Sequence, residues 1–585
     1  MSAFADLVSS FLDEMFQLQP ELATAIGDHR FDGRWCDMSA AGRLARIAAL
    51  DRWAAAFTAL DAGALTADER IDRDLVQGEI ASSRFAETEL RTEAWDAMAW
   101  VYILGAGLHP LLARDFAPLA ERLGSLADRL EGMPLLIAQA QQVMGTHPTR
   151  AVAKVHATVA GQRIAGIAGL AAEAVAAAEV AAPEDPAVAA VLPRLREAAA
   201  GATAAIEAIG AHLRDVVAPN ATGPAELGEQ LFAAKLRHTM ADPSITPGAV
   251  LELAEREYAA VRAEMVRIAR SIWAQWCPGK PEPADDGEAV RGVLAAVSAD
   301  HPAADEMVAY CREELERIEA FCRDRDVIGL VEEPLSIDWT PEFLRSFGGA
   351  MLDSPGPLDV GQKTFFSITP VRAEWDDAAV ESYMREMNAR QLRLLTIHEA
   401  VPGHYLQMVY ANRGSSLARR VFRSGLFAEG WAVYVTQVML DRGYGGDDPA
   451  LWLVHWKFYL RAVVNAILDV RIHTRGMTSE EAVSLMVDGA FQERPEAEAK
   501  DERARLSSTQ LVTYFLGSAG MWAIEDEARR RAAEAAGFSR DVVPSPRVVG
   551  GYPATPGFDE RAHLEAAIAH GAPPIGILRR ILLGD

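Results

Sequence analysis

The residues best suited to chemistry lie in segment 394–407, LLTIHEAVPGHYLQ. His398 is followed directly by Glu399, as in short zinc-binding motifs whose second histidine comes four residues after the first. Here that position is Pro402, and the next histidine is His404. On a regular helix, residues six apart point about 240° away from each other. One metal ion could therefore bind both histidines only if the helix is interrupted between them.

Pro402 and Gly403 supply the means for such an interruption. Proline has no N–H, and its ring clashes with the carbonyl four residues back, which here belongs to His398. Glycine accepts backbone angles that are closed to other residues. We therefore predict a looped-out insertion of these two residues that returns His404 to the side of His398 as a second ligand. The alternative is that two unrelated helices meet at a Pro-Gly turn.

A third candidate ligand is Glu429, in the apolar run SGLFAEGWAVYVTQVML. Such a run predicts a buried helix, and a buried carboxylate needs a counter-charge. A metal ion would supply that charge; the alternative is a buried arginine such as Arg423 or Arg461. Two imidazoles and one carboxylate, with a fourth position open, are typical ligands of a catalytic zinc ion.

Two further segments carry polar candidates. In WKFYLRAVVNAILDVRIH, polar residues recur at intervals of four, namely Arg461, Asn465, Asp469 and His473. This pattern favours a solvated helix face, and the alternative is a cleft wall in which Asp469 orients His473 or a metal ligand.

Tyr514 lies among apolar residues, so its hydroxyl needs a partner. That partner is either a core hydrogen bond or the oxyanion formed when water attacks a carbonyl.

The elements that must position these residues are predicted to be helices almost throughout, since Ala, Leu, Glu and Arg dominate and strand-like alternation is scarce. The exception is the irregular stretch 348–374, where KTFFSI indicates a short strand or small sheet. We predict a mainly α fold with a small β element. Its N-terminal helical half would be residues 1–275, and residues 276–585 would form a C-terminal half carrying the metal site, unless both form one continuous domain.

Charge and composition bear on partners and location. The formal charge of −26 disfavours nucleic acid, whose binding needs a basic face. Four cysteines, none in a C-x-x-C pair, indicate free thiols in a reducing compartment. The N-terminal residues are acidic early and do not resemble a signal peptide, and no uncharged apolar run is long enough to span a bilayer. We expect a cytoplasmic protein without a membrane partner; its oligomeric state stays open.

These motifs resemble those of the bacterial proteins catalogued as domain of unknown function 885, in HEAVPGHYLQ, FAEGWAVY, DVRIHTRGMTSEEAV and QLVTYFLG. QPELATAIGDHRFDG and HLEAAIAHGAPPIGILRRIL extend the resemblance over most of the chain. That family belongs to a broad clan of metallopeptidases with a zinc site of two histidines and one glutamate. The spacing from His404 to Glu429 is also similar to that of the thimet-type oligopeptidases. The resemblance implies a helical body with a deep cleft between two halves.

Some positions depart from the family pattern. Tyr405 replaces a common histidine, Thr436 replaces a usual acidic residue, and Met477 stands where tryptophan is usual. Ser508 and Thr509 replace a Pro-Gly pair. None of these changes removes a proposed ligand, so they bear on substrate preference more than on metal binding.

Together, the residues and the resemblance predict a zinc-dependent metallopeptidase that hydrolyses small peptides. Two alternatives stay open: a zinc hydrolase of a non-peptide amide, and a helical binding protein without turnover. The predicted roles are metal binding for His398, His404 and Glu429, general base catalysis for Glu399, and oxyanion stabilisation for Tyr514 and His473.

Overall fold

The computed structural model describes residues 2–340, 345, 349–414, 416–543 and 554–584. Helices dominate these residues and the strands form one small sheet, so the predicted mainly α fold is confirmed.

The chain divides into two compact units. The first comprises Met1–Ala225 and Pro355–Lys363, and the second comprises Glu226–Ser354 and Thr364–Asp585. The boundary suggested near residue 275 falls inside the second unit, at the end of the helix Pro247–Trp276. The deep cleft between two halves stays a prediction.

Among the described residues, the first unit consists of helices and one isolated β-bridge between Ala153 and Gly223. Two of its helices, Ala165–Ala181 and Pro186–His212, are rich in alanine, and small buried side chains such as Ala171 and Ala174 allow close approach. The helices of this unit are α1 (Ala3–Leu18), α2 (Pro20–Ile26), α3 (Ala40–Thr58), α4 (Ala67–Phe85), α5 (Thr92–Trp95), α6 (Met98–Ala113), α7 (Leu119–Val143), α8 (Lys154–Arg163), α9 (Ala165–Ala181), α10 (Pro186–His212) and α11 (Ala218–Asn220).

Two stretches of the described residues have the length and composition of a membrane span. One is Lys154–Ala181, with 28 residues and a mean hydropathy of 1.6 in its most apolar window. The other qualifies only if Ala67–Trp95 and Met98–Ala113 are counted as one span, although they are bent by 103°. Core helices have the same composition, and in α9 the side chains of Ile167 and Leu170 are buried within the unit.

His29 ties the segment Pro355–Lys363 into the first unit. Its Nδ1 lies 2.9 Å from an oxygen of Asp32, and its Nε2 lies 3.0 Å from an oxygen of Asp359. Both carboxylates are nearly buried. Although burial opposes the charge, the hydrogen bonds with Asp32 and Asp359 raise the pKa of His29 to about 9. The imidazolium therefore donates to both carboxylates at neutral pH.

Replacing His29 by asparagine should lower the free energy of unfolding by roughly 1–3 kcal/mol near pH 6, because two buried carboxylates lose their cation. Folding raises the pKa of His29, so its contribution is complete below the ordinary value of 6.5 and is lost as the pH rises through about 9. Denaturant unfolding of both proteins at about pH 6 and pH 10 measures this. An equally large difference at both pH values would show that the imidazolium is not the stabilising group.

The second unit contains the remaining helices. Helix α20 is buried along most of its length, as its apolar sequence predicts. The helices are α12 (Glu229–Met240), α13 (Pro247–Trp276), α14 (Asp286–Val297), α15 (Met307–Asp324), α16 (Asp377–Glu386), α17 (Ala389–Glu399), α18 (His404–Arg413), α19 (Leu417–Val421), α20 (Gly425–Asp441), α21 (Pro449–Arg475), α22 (Ser479–Ser484), α23 (Arg494–Leu506), α24 (Val512–Ala535), α25 (Glu560–Ile568) and α26 (Ile575–Leu583).

The small sheet of the second unit supports α17. Its strands are β1 (Leu335–Trp339), β2 (Ala350–Asp353) and β3 (Thr364–Ile368), in the order β1-β3-β2. Strand β3 is parallel to β1 and antiparallel to β2, and it coincides with the predicted KTFFSI strand. Phe366 of β3 belongs to a core cluster that includes Leu392 of α17. The sheet thereby packs against the helix that carries His398.

Candidate metal centre

The helix of His398 is interrupted before His404. Helix α17 ends at Glu399, residues 400–403 are irregular, and α18 begins at His404. The N–H of Gly403 donates to the carbonyl of Ile397 at 3.0 Å, and the Val401–Pro402 peptide is cis. A β-carbon at residue 403 would overlap the carbonyl oxygens of Ile397 and His398, so only glycine fits. The break is longer than the predicted two-residue insertion, and it separates two helices.

Across this break, two histidines and a glutamate converge. The rings of His398 and His404 have centroids 4.8 Å apart. Glu429 Oε2 lies 3.9 Å from His398 Nε2 and 3.6 Å from His404 Nε2. One ligand atom from each residue lies within 4.8 Å of the other two. Ligand atoms of a tetrahedral zinc site, with bonds of about 2.0–2.1 Å, stand about 3.4 Å apart. The two distances to Glu429, 3.9 Å and 3.6 Å, are close to that spacing.

The carboxylate of Glu429 has no arginine partner among the described residues. Arg423 bonds to Asn412, and Arg461 pairs with the carboxylates of Glu386 and Glu496. Glu429 Oε2 is buried and accepts no hydrogen bond from the described part of the chain. Because a buried acceptor without a donor is costly, this oxygen is suited to an additional cationic partner.

The pKa shifts of the three groups follow from burial and mutual contact. Burial lowers the pKa of His398 to about 3, and repulsion from His404 adds to that shift. Burial opposes charge on His404 as well, but its contact with Glu429 raises its pKa overall. Burial would raise the pKa of Glu429, and the two histidines outweigh burial and lower it. The cluster thus holds one neutral imidazole, the form that binds metals, and one carboxylate.

Helix α20 is fixed against the interrupted segment by Trp431. This side chain is fully buried, and its Nε1 donates to the carbonyl of Pro402 at 2.9 Å. Because Trp431 is two residues from Glu429, the bond couples the position of the carboxylate to the loop that separates His398 from His404.

Helices α20 and α24 cross at a pair of glycines. A β-carbon on Gly430 would overlap the backbone of Gly517, and one on Gly517 would overlap the carbonyl of Leu426. Gly430 follows Glu429 directly, and Gly517 lies about one turn after Tyr514. The glycine pair therefore sets how closely the carboxylate and the phenol approach.

The hydroxyl of Tyr514 keeps its hydrogen available. Its oxygen accepts from Arg503 Nη2 at 3.4 Å and from Gln510 Nε2 at 3.3 Å, so the O–H can donate elsewhere. Interaction with this phenol contributes to the lowered pKa of Glu429. Burial and the charge of Glu429 raise the pKa of Tyr514 to about 12, which keeps the phenol protonated.

Asp469 holds the start of the Tyr514 helix. Its two carboxylate oxygens accept from the backbone N–H groups of Thr509 at 3.0 Å and Val512 at 3.2 Å. Its nearest approach to His473 Nε2 is 3.8 Å, which is too long for a hydrogen bond. Asp469 thus positions the start of α24, and it forms no hydrogen bond with His473 of the kind that the alternative interpretation of the stripe required.

His473 does not join the cluster. Its Nε2 lies 2.7 Å from the carbonyl of Ser507, and its Nδ1 accepts from the N–H of Leu227 at 3.3 Å. Both ring nitrogens are engaged by backbone groups, and His473 is not among the described residues that line the cavity at the cluster. The placement therefore corrects the role predicted for His473: its contacts join segments of the backbone, and it does not face the reacting group.

The cluster opens into a cavity of about 470 Å³. Glu399 lines it beside His398, and burial raises the pKa of that carboxyl to about 7. The facing wall includes residues of α21 and α23, namely Arg461, Asn465, Lys500 and Arg503.

The sequence interpretation missed two of these wall residues and misjudged the polar stripe of α21. Lys500 and Arg503 lie in RPEAEAKDERARL, whose mixed charges resemble a solvated helix. Their spacing of three residues, with no acidic residue three or four positions from Arg503, was the available signal. The solvated face expected for the stripe is wrong, since Asn465, Asp469 and His473 are buried.

Replacing Gly430 by alanine should lower the free energy of unfolding by about 1–3 kcal/mol, because the added methyl group forces α20 away from α24. Gly425→Ala is a matched control at the start of the same helix, where a β-carbon meets nothing within 4 Å. Denaturant unfolding of the three proteins measures the effect. Equal stability of the two variants would contradict a tight crossing at Gly430.

Residues 20–582 match the family described as "Bacterial protein of unknown function (DUF885)". A structure from Shewanella oneidensis is 28% identical and covers 100% of both chains with a TM-score of 0.80. One from Colwellia psychrerythraea is 15% identical and covers 99% of this chain and 98% of that one, with a TM-score of 0.78. Both are described as a "putative lipoprotein", the former "of unknown function". No curated protein matches the chain significantly. The family match over nearly the whole chain shows that this protein belongs to the bacterial DUF885 family.

Proposed function

We propose that this protein is a zinc-dependent hydrolase that cleaves peptide bonds in small peptides. The observation that carries the proposal is the convergence of His398, His404 and a buried oxygen of Glu429, which accepts no hydrogen bond from the described residues, beside a cavity. This set of two nitrogen donors and one carboxylate fits zinc, which prefers such ligands in catalytic sites. When bound there, zinc would supply Lewis acidity, which polarises a carbonyl group and lowers the pKa of water.

Glu399 is suited to proton transfer. It follows a proposed ligand directly and lines the cavity on the same side. Its carboxylate takes a proton from the attacking water as the water oxygen bonds to the amide carbon. It then gives this proton to the nitrogen as the carbon–nitrogen bond breaks, so that an acid and an amine leave.

Tyr514 is suited to stabilise the charge that develops on the carbonyl oxygen. Its oxygen accepts two hydrogen bonds, so its own hydrogen can be donated, either to Glu429 or to a developing oxyanion. A donor aimed at an oxyanion commonly contributes about 10²–10³-fold to turnover. His473 has no part in this mechanism.

The location of the protein is a separate proposal. We propose a membrane-anchored or exported protein, because the structural neighbour from Shewanella oneidensis is described as a putative lipoprotein; the cytoplasmic location expected from the sequence is the alternative. Fractionation of cells that express the native gene, with immunodetection in each fraction, distinguishes these locations.

The purified protein should bind about one zinc ion per chain. Loss of a residue that only hydrogen-bonds to a metal ligand typically weakens metal binding by roughly 10–100-fold, and Glu429→Ala should weaken zinc binding by more than this. Glu498→Ala is a control, because Glu498 is an exposed residue of α23. Elemental analysis gives the stoichiometry, and competition with a chelator gives the affinity. Unchanged affinity in Glu429→Ala would remove this residue from the ligand set.

Replacing Glu399 by glutamine should retain zinc and lower turnover of short peptides by about 10²–10⁴-fold, because the amide keeps the shape but cannot accept a proton. Zinc content and hydrolysis of a peptide panel are measured on the same preparation. Loss of zinc would make Glu399 a ligand, and undiminished turnover would exclude it from the reaction. Parent protein that binds zinc and cleaves no amide would be a binding protein.

A further inference from the structure

Two cations face the proposed active site without a carboxylate partner. Lys500 and Arg503 line the cavity from α23. Arg503 Nη2 contacts the amide oxygen of Gln510 at 3.2 Å and the hydroxyl of Tyr514 at 3.4 Å, both of which are neutral groups. Neither cation forms a salt bridge within the described part of the chain, and Lys500 is attracted by Glu496 and Glu386 only at longer range. This is notable in a chain with a formal charge of −26.

A neighbouring arginine of the same wall shows the contrast. Arg461 forms salt bridges with Glu386 and, at 3.1 Å, with Glu496. Glu386 also pairs with Lys457 at 2.8 Å. The charge of Arg461 is therefore compensated within the protein. Lys500 and Arg503 form no such salt bridges, Lys500 is partly exposed and Arg503 is exposed at the mouth of the cavity, so both can bind a ligand.

Lys500 and Arg503 also repel each other. They are three residues apart on one helix face, where like charges destabilise a helix. Burial and the nearby guanidinium groups of Arg461 and Arg503 lower the pKa of Lys500 to about 8. A bound anion would relieve this repulsion.

A neutral polar group completes the same wall. Asn465 is 3% exposed, lines the cavity, and has an Oδ1 that is buried and bonded to nothing among the described residues. A substrate N–H would satisfy this acceptor. Two free cations and one free amide oxygen are the groups that would recognise a carboxylate and an adjacent peptide N–H.

We propose that the substrate carries a carboxylate close to the cleaved bond, held by Lys500 and Arg503 while Asn465 accepts from a peptide N–H. This inference rests on the proposed function for the bond that is cleaved. Arg503 contacts Tyr514, which in turn interacts with Glu429, so the carboxylate binds within one or two residues of the reacting carbonyl, each extended residue spanning about 3.3–3.6 Å. The carboxylate is either the free C-terminus of a short peptide or an acidic side chain.

The test measures binding of tripeptides to the zinc-loaded Glu399→Gln variant by calorimetry, without turnover. Ala-Ala-Ala should bind about 10–100-fold more tightly than its C-terminal amide if the C-terminus is recognised. If an acidic side chain is recognised, the C-terminal amide of Ala-Glu-Ala should bind more tightly than the C-terminal amide of Ala-Gln-Ala by a similar factor. Equal binding within both pairs, or no binding of any probe at millimolar concentration, overturns the proposal.

Substitutions in the same background assign the preference to the two cations. Arg503→Gln and Lys500→Gln should each remove most of the preference for the carboxylate peptide over its neutral counterpart. Arg503→Lys should restore part of it, because a positive charge is kept. Arg494→Gln, an exposed position on the same helix and outside this cavity, is the control and should keep the full preference. A preference that survives both glutamine substitutions contradicts the proposal.

Hydrolysis by the parent protein separates this inference from the proposed function. Cleavage of acid and amide peptides at equal rates, with equal binding, would leave the hydrolase standing and refute carboxylate recognition. Selective binding of the carboxylate peptide without any hydrolysis would support the recognition site and refute the hydrolase.

Discussion

His398 and His404 can meet because residue 403 has no β-carbon. Two histidines six positions apart diverge on a continuous helix, and here α17 ends and α18 begins within four residues. At that point the backbone of Gly403 lies against the carbonyls of Ile397 and His398, where any side chain would overlap them. The bond from Trp431 to Pro402 then fixes this segment to α20. The geometry of the candidate centre depends on this one close approach.

A second close approach brings in the remaining groups. At Gly430 and Gly517, α20 and α24 cross without side chains between them, which puts Glu429 and Tyr514 beside the two histidines. Burial at this crossing leaves a carboxylate oxygen without a hydrogen bond from the described residues. The same two features, tight helix packing and a buried carboxylate oxygen without a hydrogen bond, explain why the cluster is suited to a cation and why a phenol lies next to it.

Much of this arrangement could be predicted from the sequence, because it is local. The Pro-Gly interruption, the buried run around Glu429 and the strand at KTFFSI each leave a signal within a few residues. The errors concern long-range contacts. His473 belongs to the polar stripe of α21, but its two ring nitrogens contact backbone groups of Leu227 and Ser507 instead of facing the cavity. Lys500 and Arg503 belong to a highly charged helix, and only the tertiary structure shows that this face lines the cavity.

The most direct test of the central claim is crystallographic: anomalous diffraction above and below the zinc absorption edge from crystals of the zinc-loaded protein. The account predicts one anomalous peak, about 2.0–2.2 Å from a ring nitrogen of His398, a ring nitrogen of His404 and a carboxylate oxygen of Glu429, with a further position open toward the cavity. A peak held by other residues, or the absence of a peak between these three side chains, would contradict it.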